Sequence, residues 1–310
     1  MAAGRAGQAY EKRLAHRYGK MVNRFGALSR YLLKVGDCSR KARTLPVHQR
    51  SAPISFTMSR PLPEEPALSH ALTDDSLFQG GLICRQSREG YRFSVDAVLA
   101  AHFAAPKPDA KVLDLGCGCG VIGLILTYRY PQITVCSLEL QEQLAALAEA
   151  NGRLNGFAER FRVIRGDVCA IAAQLSPESF DLVVCNPPYR KKDSGRINKD
   201  DQAACARHEL TAEVDDFVRA SAFCVKNRGR VVFVYPAARC STLLATLQSQ
   251  RLTLKRLQPV YSYPGTKNAR LVLIEAAKNG GEQCELLAPF YIYERQNGDY
   301  SPAMHALYRK

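Results

Sequence analysis

The sequence contains no tryptophan, only four methionines and no Cys-x-x-Cys pair among its eleven cysteines. An odd number of cysteines scattered along 310 residues does not fit a disulfide framework, which pairs its thiols in an oxidising compartment. Cys117 and Cys119 come closest together, and their spacing is shorter than that of a usual zinc-ligand pair. We therefore expect reduced thiols, a cytoplasmic protein and no bound metal.

Long apolar runs are also missing. No run approaches the roughly 18 residues that a membrane-spanning helix needs. The first residues, Met-Ala-Ala-Gly-Arg, are basic and lack the apolar core of a secretory signal. At 46% hydrophobic and 23% charged residues, the composition is that of a globular domain with a full core. We expect no membrane association and no stable protein partner.

Acidic residues are scarce at the N-terminus, where residues 1–57 hold twelve Lys or Arg against Glu11 and Asp37. This segment carries ten of the fourteen net positive charges, so the remainder is only mildly basic. Three interpretations stay open for it: a disordered RNA-binding arm, a start codon assigned too far upstream, or an organelle transit peptide. Residues 58–76, rich in Pro, Ser, Asp and Glu, are expected to form a flexible lead-in to a catalytic domain at 77–310.

Within 77–310, short apolar runs alternate with helical patterns, as in βαβ units. The alternation predicts an α/β fold with a mostly parallel sheet and helices on both faces. Two late strands, 252–261 and 271–275, have no helix between them, so the last should pair antiparallel. A hairpin is predicted over 77–93 with its turn near 87–90, followed by a helix from Ser94.

A glycine-rich loop follows the first buried strand, in Val112-Leu-Asp-Leu-Gly-Cys-Gly-Cys-Gly-Val-Ile-Gly123. Closely spaced glycines let the backbone turn tightly and approach a ligand. The spacing Gly118-x-Gly120-x-x-Gly123, with Glu139 downstream, fits a dinucleotide site. The longer pattern also includes Asp114 and Gly116, and it resembles motif I of class I S-adenosylmethionine-dependent methyltransferases. That resemblance favours S-adenosylmethionine, whose sulfonium and ammonium groups call for acids.

Acidic residues end the next two strands. Glu139 ends the second strand, where its carboxylate is expected to accept both ribose hydroxyls of the cofactor. Asp167 ends the third strand, where the family typically binds the adenine amine, and it is also a natural helix N-cap. The resemblance places Phe93 and Asp96 near the methionine end of the cofactor.

The fourth strand runs into Asn186-Pro187-Pro188-Tyr189. Open α/β sheets bind ligands at the carboxyl ends of their strands, so this tetrad is predicted to lie at the reacting centre. The side-chain carbonyl of Asn186 and the main-chain carbonyl of Pro187 can accept the two N–H groups of a planar amine. Two prolines stiffen the loop, and Tyr189 can stack on a base, which is worth roughly 1–3 kcal/mol. Catalysis by positioning needs no strong base.

These motifs together resemble the Asn-Pro-Pro-Tyr class of N-methyltransferases. Residues 77–308 are similar to the bacterial tRNA(Val) adenine-N6 methyltransferases, on the stretches 93–96, 186–189, 206–209, 263–270 and 299–302. The resemblance implies a Rossmann-like seven-stranded sheet, S-adenosylmethionine as cofactor, and methylation of the adenosine 3′ of the anticodon. A tRNA substrate fits an aromatic and basic cluster at Tyr261 and Tyr263 and the following basic candidates for RNA contact: Arg190, Lys191, Lys192, Arg207, His208, Lys267 and Arg270.

Other functions remain open at this stage. A glutamine N5-methyltransferase acting on release factors shares the tetrad, because a primary amide poses the same chemical problem. Such enzymes usually carry a helical N-terminal domain, for which only residues 1–57 are available. A guanine-N2 rRNA methyltransferase often has Phe at the position of Tyr189. An NAD-dependent oxidoreductase and a non-catalytic nucleotide- or RNA-binding module are the alternatives outside this enzyme class.

Overall fold

The apolar runs of the sequence form the strands of one large sheet and a separate hairpin. A computed structural model of the protein describes residues 72–88, 92–188 and 212–309. The strands are β1 (Leu72–Leu77), β2 (Leu82–Ser87), β3 (Lys111–Leu115), β4 (Thr134–Glu139), β5 (Phe161–Arg165), β6 (Phe180–Cys185), β7 (Val225–Pro236), β8 (Leu252–Tyr261), β9 (Leu271–Lys278), β10 (Glu285–Leu286) and β11 (Phe290–Tyr291).

Six α-helices connect or flank these strands in the described stretches. They are α1 (Val95–Phe103), α2 (Val121–Arg129), α3 (Glu142–Leu154), α4 (Val214–Cys224), α5 (Cys240–Ser249) and α6 (Pro302–Leu307). Shorter 3-10 turns lie at Phe78–Gly80, Val168–Ala173 and Ala237–Arg239. None of the helices in the described ranges is long and apolar enough to cross a membrane.

The large sheet has the order β10–β8–β9–β7–β6–β3–β4–β5, with β11 also beside β8. Strands β3 to β7 pair in parallel, whereas β9 is antiparallel to both β7 and β8. The prediction of a mostly parallel sheet with one antiparallel strand is confirmed. Two strands of two residues each, β10 and β11, extend the sheet beyond the seven strands predicted.

Alternating residues of the central strands fill two hydrophobic cores. Val112, Val184 and Val232 pack against α1, α2 and α3 on one face. Leu113 and Val183 pack against α4 and α5 on the other. Because both faces are covered, the central strands read as continuous apolar runs in the sequence.

The register brings the carboxyl ends of the central strands to one edge. Leu115 of β3 lies opposite Leu138 of β4 and Cys185 of β6, and Glu139 lies opposite Arg165 of β5. The segments that follow β3, β4, β5 and β6 therefore emerge side by side. This edge holds the glycine-rich loop and the Asn-Pro-Pro segment.

The amino-terminal hairpin differs from its prediction. Strand β1 pairs antiparallel with β2, and the turn falls at 78–81 instead of near 87–90. Phe78 and Gln79 adopt left-handed φ values of 51° and 55°, which residues other than glycine rarely take, and Gly80-Gly81 complete the turn. The ring of Phe78 stacks on Tyr128 of α2 at 4.9 Å and holds the turn. Because β1 begins at Leu72, the end of the segment 58–76 expected as a flexible lead-in is instead part of a strand.

Candidate active site

The glycine-rich loop between β3 and α2 adopts a conformation that requires glycine. Gly116, Gly118 and Gly120 have φ values of 70°, 58° and 88°. A Cβ on Gly120 would also lie 3.0 Å from the Cβ of Ala148 in α3. On Gly123, a Cβ would lie 2.6 Å from the ring of Phe161, so α2 can pack this closely on β5 only with glycine there.

The main-chain amides of these glycines are all used inside the protein. Their hydrogen bonds are Gly116 N to Leu138 O (2.8 Å), Gly118 N to Glu139 Oε2 (2.9 Å), Gly120 N to Cys117 O (2.9 Å) and Gly123 N to Asp114 Oδ2 (3.1 Å). A dinucleotide site offers such amides to a pyrophosphate. The four glycine amides are therefore already bonded within the protein and are not offered to a pyrophosphate.

Acidic side chains stand at the ends of β4 and β5. Glu139 is only 7% exposed, and its Oε1 accepts the amide of Gln141 at 2.9 Å. Both oxygens are thus held by main-chain N–H groups, and each retains a lone pair for a further donor. Asp167 is half-buried and accepts the amide of Cys169 at 2.8 Å, as the N-cap interpretation predicted. The two carboxylates are fixed on neighbouring strands.

Asp114 lies beneath the glycine-rich loop, fully buried. Its Oδ2 holds Gly123, while Oδ1 has no hydrogen-bond partner among the described residues. Burial raises the pKa of Asp114 to about 7, the Gly123 amide opposes the shift, and the charge of Glu139 adds to it. The structure therefore places this predicted cofactor residue behind the loop, where it fixes the first turn of α2.

Asn186 and Pro187 follow β6 directly. Asn186 is half-buried, Pro187 is buried and Pro188 is exposed. Since Cys185 pairs with Leu115, Asn186 emerges beside Gly116 and the glycine-rich loop. Tyr189 and the predicted RNA-contacting residues Arg190, Lys191, Lys192, Arg207 and His208 lie outside the described residues.

The segment before α1 approaches the same edge. The C-terminal end of α1 leads to the start of β3, so its N-terminal end points toward the carboxyl ends of the strands. Ser94 caps the helix by accepting the amide of Asp96 at 3.3 Å, as predicted. Asp96 is buried in the first turn, and Phe93 is half-buried.

The loop between β8 and β9 carries Lys267 and Arg270, both exposed. Strand β8 runs in the same direction as β7, which places this loop at the carboxyl edge. The carbonyl of Arg270 accepts the amide of Ala237 at 3.0 Å, just after β7. Arg270 is thus two strands away from Asn186, and the aromatic cluster gains a member because Tyr291 lies 5.8 Å from Tyr261, ring to ring.

Two residues at this edge were not singled out from the sequence. Asn151 of α3 is fully buried and donates to the carbonyl of Cys119 in the glycine-rich loop at 3.0 Å. Gln86 of β2 is 1% exposed and accepts the amide of Phe93 at 3.0 Å. The available signal for Asn151 was a poor helix former inside an otherwise Ala-, Leu- and Glu-rich helix.

Known proteins share the sequence pattern and the fold of this chain. Residues 94–237 match the profile of the family described as methyltransferase small domain. A crystal structure of a predicted O-methyltransferase from Agrobacterium tumefaciens superposes with a TM-score of 0.57 at 22% identity, covering 68% of this chain and 94% of that one. The fold and the family match make the chain similar to class I methyltransferases.

Within that class, the chain is similar to proteins named tRNA1(Val) (adenine(37)-N6)-methyltransferase. The Porphyromonas gingivalis relative is 29% identical over 187 residues, covering 58% of this chain and 72% of the relative. The Vibrio campbellii relative is 26% identical, covering 71% and 90%, and the Pedobacter heparinus relative is 31% identical, covering 49% and 63%. The resemblance inferred from the motifs is confirmed at the level of the class and of these relatives.

Proposed function

We propose that this chain transfers a methyl group from S-adenosylmethionine to the exocyclic N6 of an adenosine in tRNA, beside the anticodon of tRNA(Val). The observation that carries the proposal is the emergence of Asn186-Pro187 beside the glycine-rich loop, where parallel sheets bind their ligands. The names of the relatives supply the substrate class. The free thiols of the nine described cysteines support action in the cytoplasm.

The residues at the strand ends suit this methyl donor. When bound, S-adenosylmethionine supplies an electrophilic methyl group on a cationic sulfonium. Glu139 would accept the ribose hydroxyls, Asp167 would accept the adenine amine, and Asp96 and Phe93 would face the methionine end. Carboxylates suit a ligand that carries positive charge and a diol, and the internally bonded glycine amides argue against a pyrophosphate.

The tetrad at 186–189 would position the acceptor amine. The side-chain carbonyl of Asn186 and the main-chain carbonyl of Pro187 would each accept one N–H, which favours the pyramidal nitrogen needed for attack. Tyr189 would stack on the base, which must leave its own stack to enter. The methylated amine loses its proton readily, so no side chain is required as a strong base.

The tRNA backbone would contact the basic residues around this edge. Lys267 and Arg270 lie on the exposed loop beside β7, with Tyr261 and Tyr263 close in the chain. We assign Arg190, Lys191, Lys192, Arg207 and His208 to the same surface from their place next to the tetrad in the sequence.

The direct test is methyl transfer from labelled S-adenosylmethionine to unmodified total tRNA, with a release factor as parallel acceptor. We expect N6-methyladenosine in one tRNA species by nucleoside mass spectrometry. Label in the release factor would move the function to glutamine methylation, and N2-methylguanosine would move it to guanine methylation.

Substitution of Asn186 tests the mechanism within that assay. Asn186→Ala removes the acceptor carbonyl, so turnover should fall by at least about 100-fold, the usual effect of losing one such polar contact. Asn186→Gln keeps the amide but displaces it by one methylene, and the same loss is expected. Binding of S-adenosylhomocysteine, measured by calorimetry, should stay near the wild-type value in both. Wild-type turnover in Asn186→Ala would contradict the mechanism.

A further inference from the structure

Two asparagines one turn apart bind the free edge of β2. Asn151 lies in the last turn of α3, and Asn155 caps its end. The amide of Asn151 accepts Arg85 N at 2.9 Å and donates to Arg85 O at 2.8 Å. Asn155 repeats this pattern with Ile83, accepting its N at 2.9 Å and donating to its O at 2.7 Å.

The two asparagines of α3 match two alternate residues of β2 because the helix and the strand have similar residue spacings. Residues four apart in a helix are separated by about 6 Å along its axis, and residues two apart in a strand by about 6.7 Å. Successive side-chain amides on one helix face can therefore pair with alternate residues of a strand. The other edge of β2 pairs with β1, so α3 takes the place of a second neighbouring strand.

Only Asn151 also reaches the glycine-rich loop. Its Nδ2 donates to Cys119 O at 3.0 Å, so both of its N–H groups and its carbonyl are bonded. Cys119 directly precedes Gly120, the left-handed N-cap of α2. The Sγ atoms of Cys84 in β2 and Cys119 lie 3.7 Å apart at the same place.

The hairpin then continues to the start of α1. Gln86 follows Arg85, and its buried side chain accepts the amide of Phe93 while donating to Asp75. A continuous path thus connects Cys119 of the loop to Phe93. Asn151 is hydrogen-bonded to Cys119 and to Arg85, and Gln86, the next residue of β2, is hydrogen-bonded to Phe93. Both ends of this path are predicted to border the methyl donor.

We propose that Asn151 is a positioning residue for the methyl-donor site. It fixes the carbonyl that precedes Gly120 and holds the β1–β2 hairpin in register, and the hairpin in turn places the Phe93 segment. The inference deepens the proposed function, because it rests on the donor binding at this loop. Asn155 docks the hairpin in the same way without touching the loop, so it is the matched control.

The test compares Asn151→Ala with Asn155→Ala in the full chain. Each variant loses one amide pair to β2, so both should unfold at lower temperature than wild type. Binding of S-adenosylhomocysteine by calorimetry should weaken about tenfold in Asn151→Ala and by less than about twofold in Asn155→Ala. In the methylation assay, KM for the donor should rise in Asn151→Ala, while kcat at saturating donor stays within about threefold.

A second variant covers the case in which the alanine substitution prevents folding. Asn151→Asp keeps the acceptor for Arg85 N and loses both donated hydrogen bonds, so it should weaken binding similarly. Equal loss of affinity in the Asn151 and Asn155 variants would overturn the assignment to the loop contact. Unchanged affinity in a folded Asn151 variant would leave the residue a merely structural one. Failure of the wild-type chain to bind S-adenosylhomocysteine would instead overturn the proposed function, and this inference with it.

Discussion

Asp114 is the buried acid whose protonation should set a pH dependence of stability. Its pKa of about 7 in the folded chain lies above the ordinary 3.8, mainly because burial disfavours the charged form. Between about pH 4 and 7 the folded chain therefore holds a proton that the unfolded chain has lost. The contribution of Asp114 to the free energy of unfolding is therefore fully present at low pH and is lost as the pH rises through 7.

Asp114→Asn removes this titration and keeps an oxygen for the amide of Gly123. We expect the Tm of the variant, relative to wild type, to rise by about 4 °C or more between pH 4 and 8, since each kcal/mol is worth about 2–4 °C in a domain of this size. Asp109→Asn removes an exposed carboxylate and leaves the buried one, so it serves as the matched control. A Tm difference that does not change with pH would contradict the prediction.

At the scale of single elements, the end of α5 offers a test of backbone strain. Arg251 follows the C-cap Gln250 with φ of 57° and an exposed side chain. A left-handed residue with a Cβ costs roughly 1 kcal/mol, and this position normally favours glycine. Arg251→Gly should therefore raise Tm by about 2–4 °C in thermal unfolding. Arg251→Ala loses the same side chain, keeps the Cβ, and should show no gain.

The helices and strands were predicted correctly where the local sequence pattern determines them. The prediction failed where contacts between distant elements determine the backbone conformation. The end of β4 at Glu139, the end of β6 just before Asn186 and both limits of β8 agree with the prediction. The hairpin turn was misplaced because Ser87–Gly90 has turn composition, whereas the left-handed Phe78 is held by stacking on Tyr128. Gly80-Gly81 is a turn signal in the sequence, but the left-handed backbone of Phe78 depends on a contact with a distant helix.

At the scale of the whole molecule, topology explains which part of the site could be predicted. Glu139, Asp167 and Asn186 end or follow parallel strands, so reading the strands was enough to bring them to one edge. Asn151 and Gln86 act across elements that are distant in sequence, and their partners are main-chain atoms that any residue type supplies. Their contacts become visible only in three dimensions, and their roles remain predictions.

Most of the net positive charge lies in the N-terminal segment, outside the predicted donor site. Residues 1–57 carry ten of the fourteen net positive charges, whereas the predicted donor site is built from residues 93–186. A variant lacking residues 1–57 should therefore bind S-adenosylhomocysteine with wild-type affinity. Its tRNA affinity should fall, and the slope of log K against log salt should become shallower, because fewer phosphate counterions are released. An unchanged slope would mean that these residues make no phosphate contacts and that recognition of tRNA rests on the remaining part of the chain.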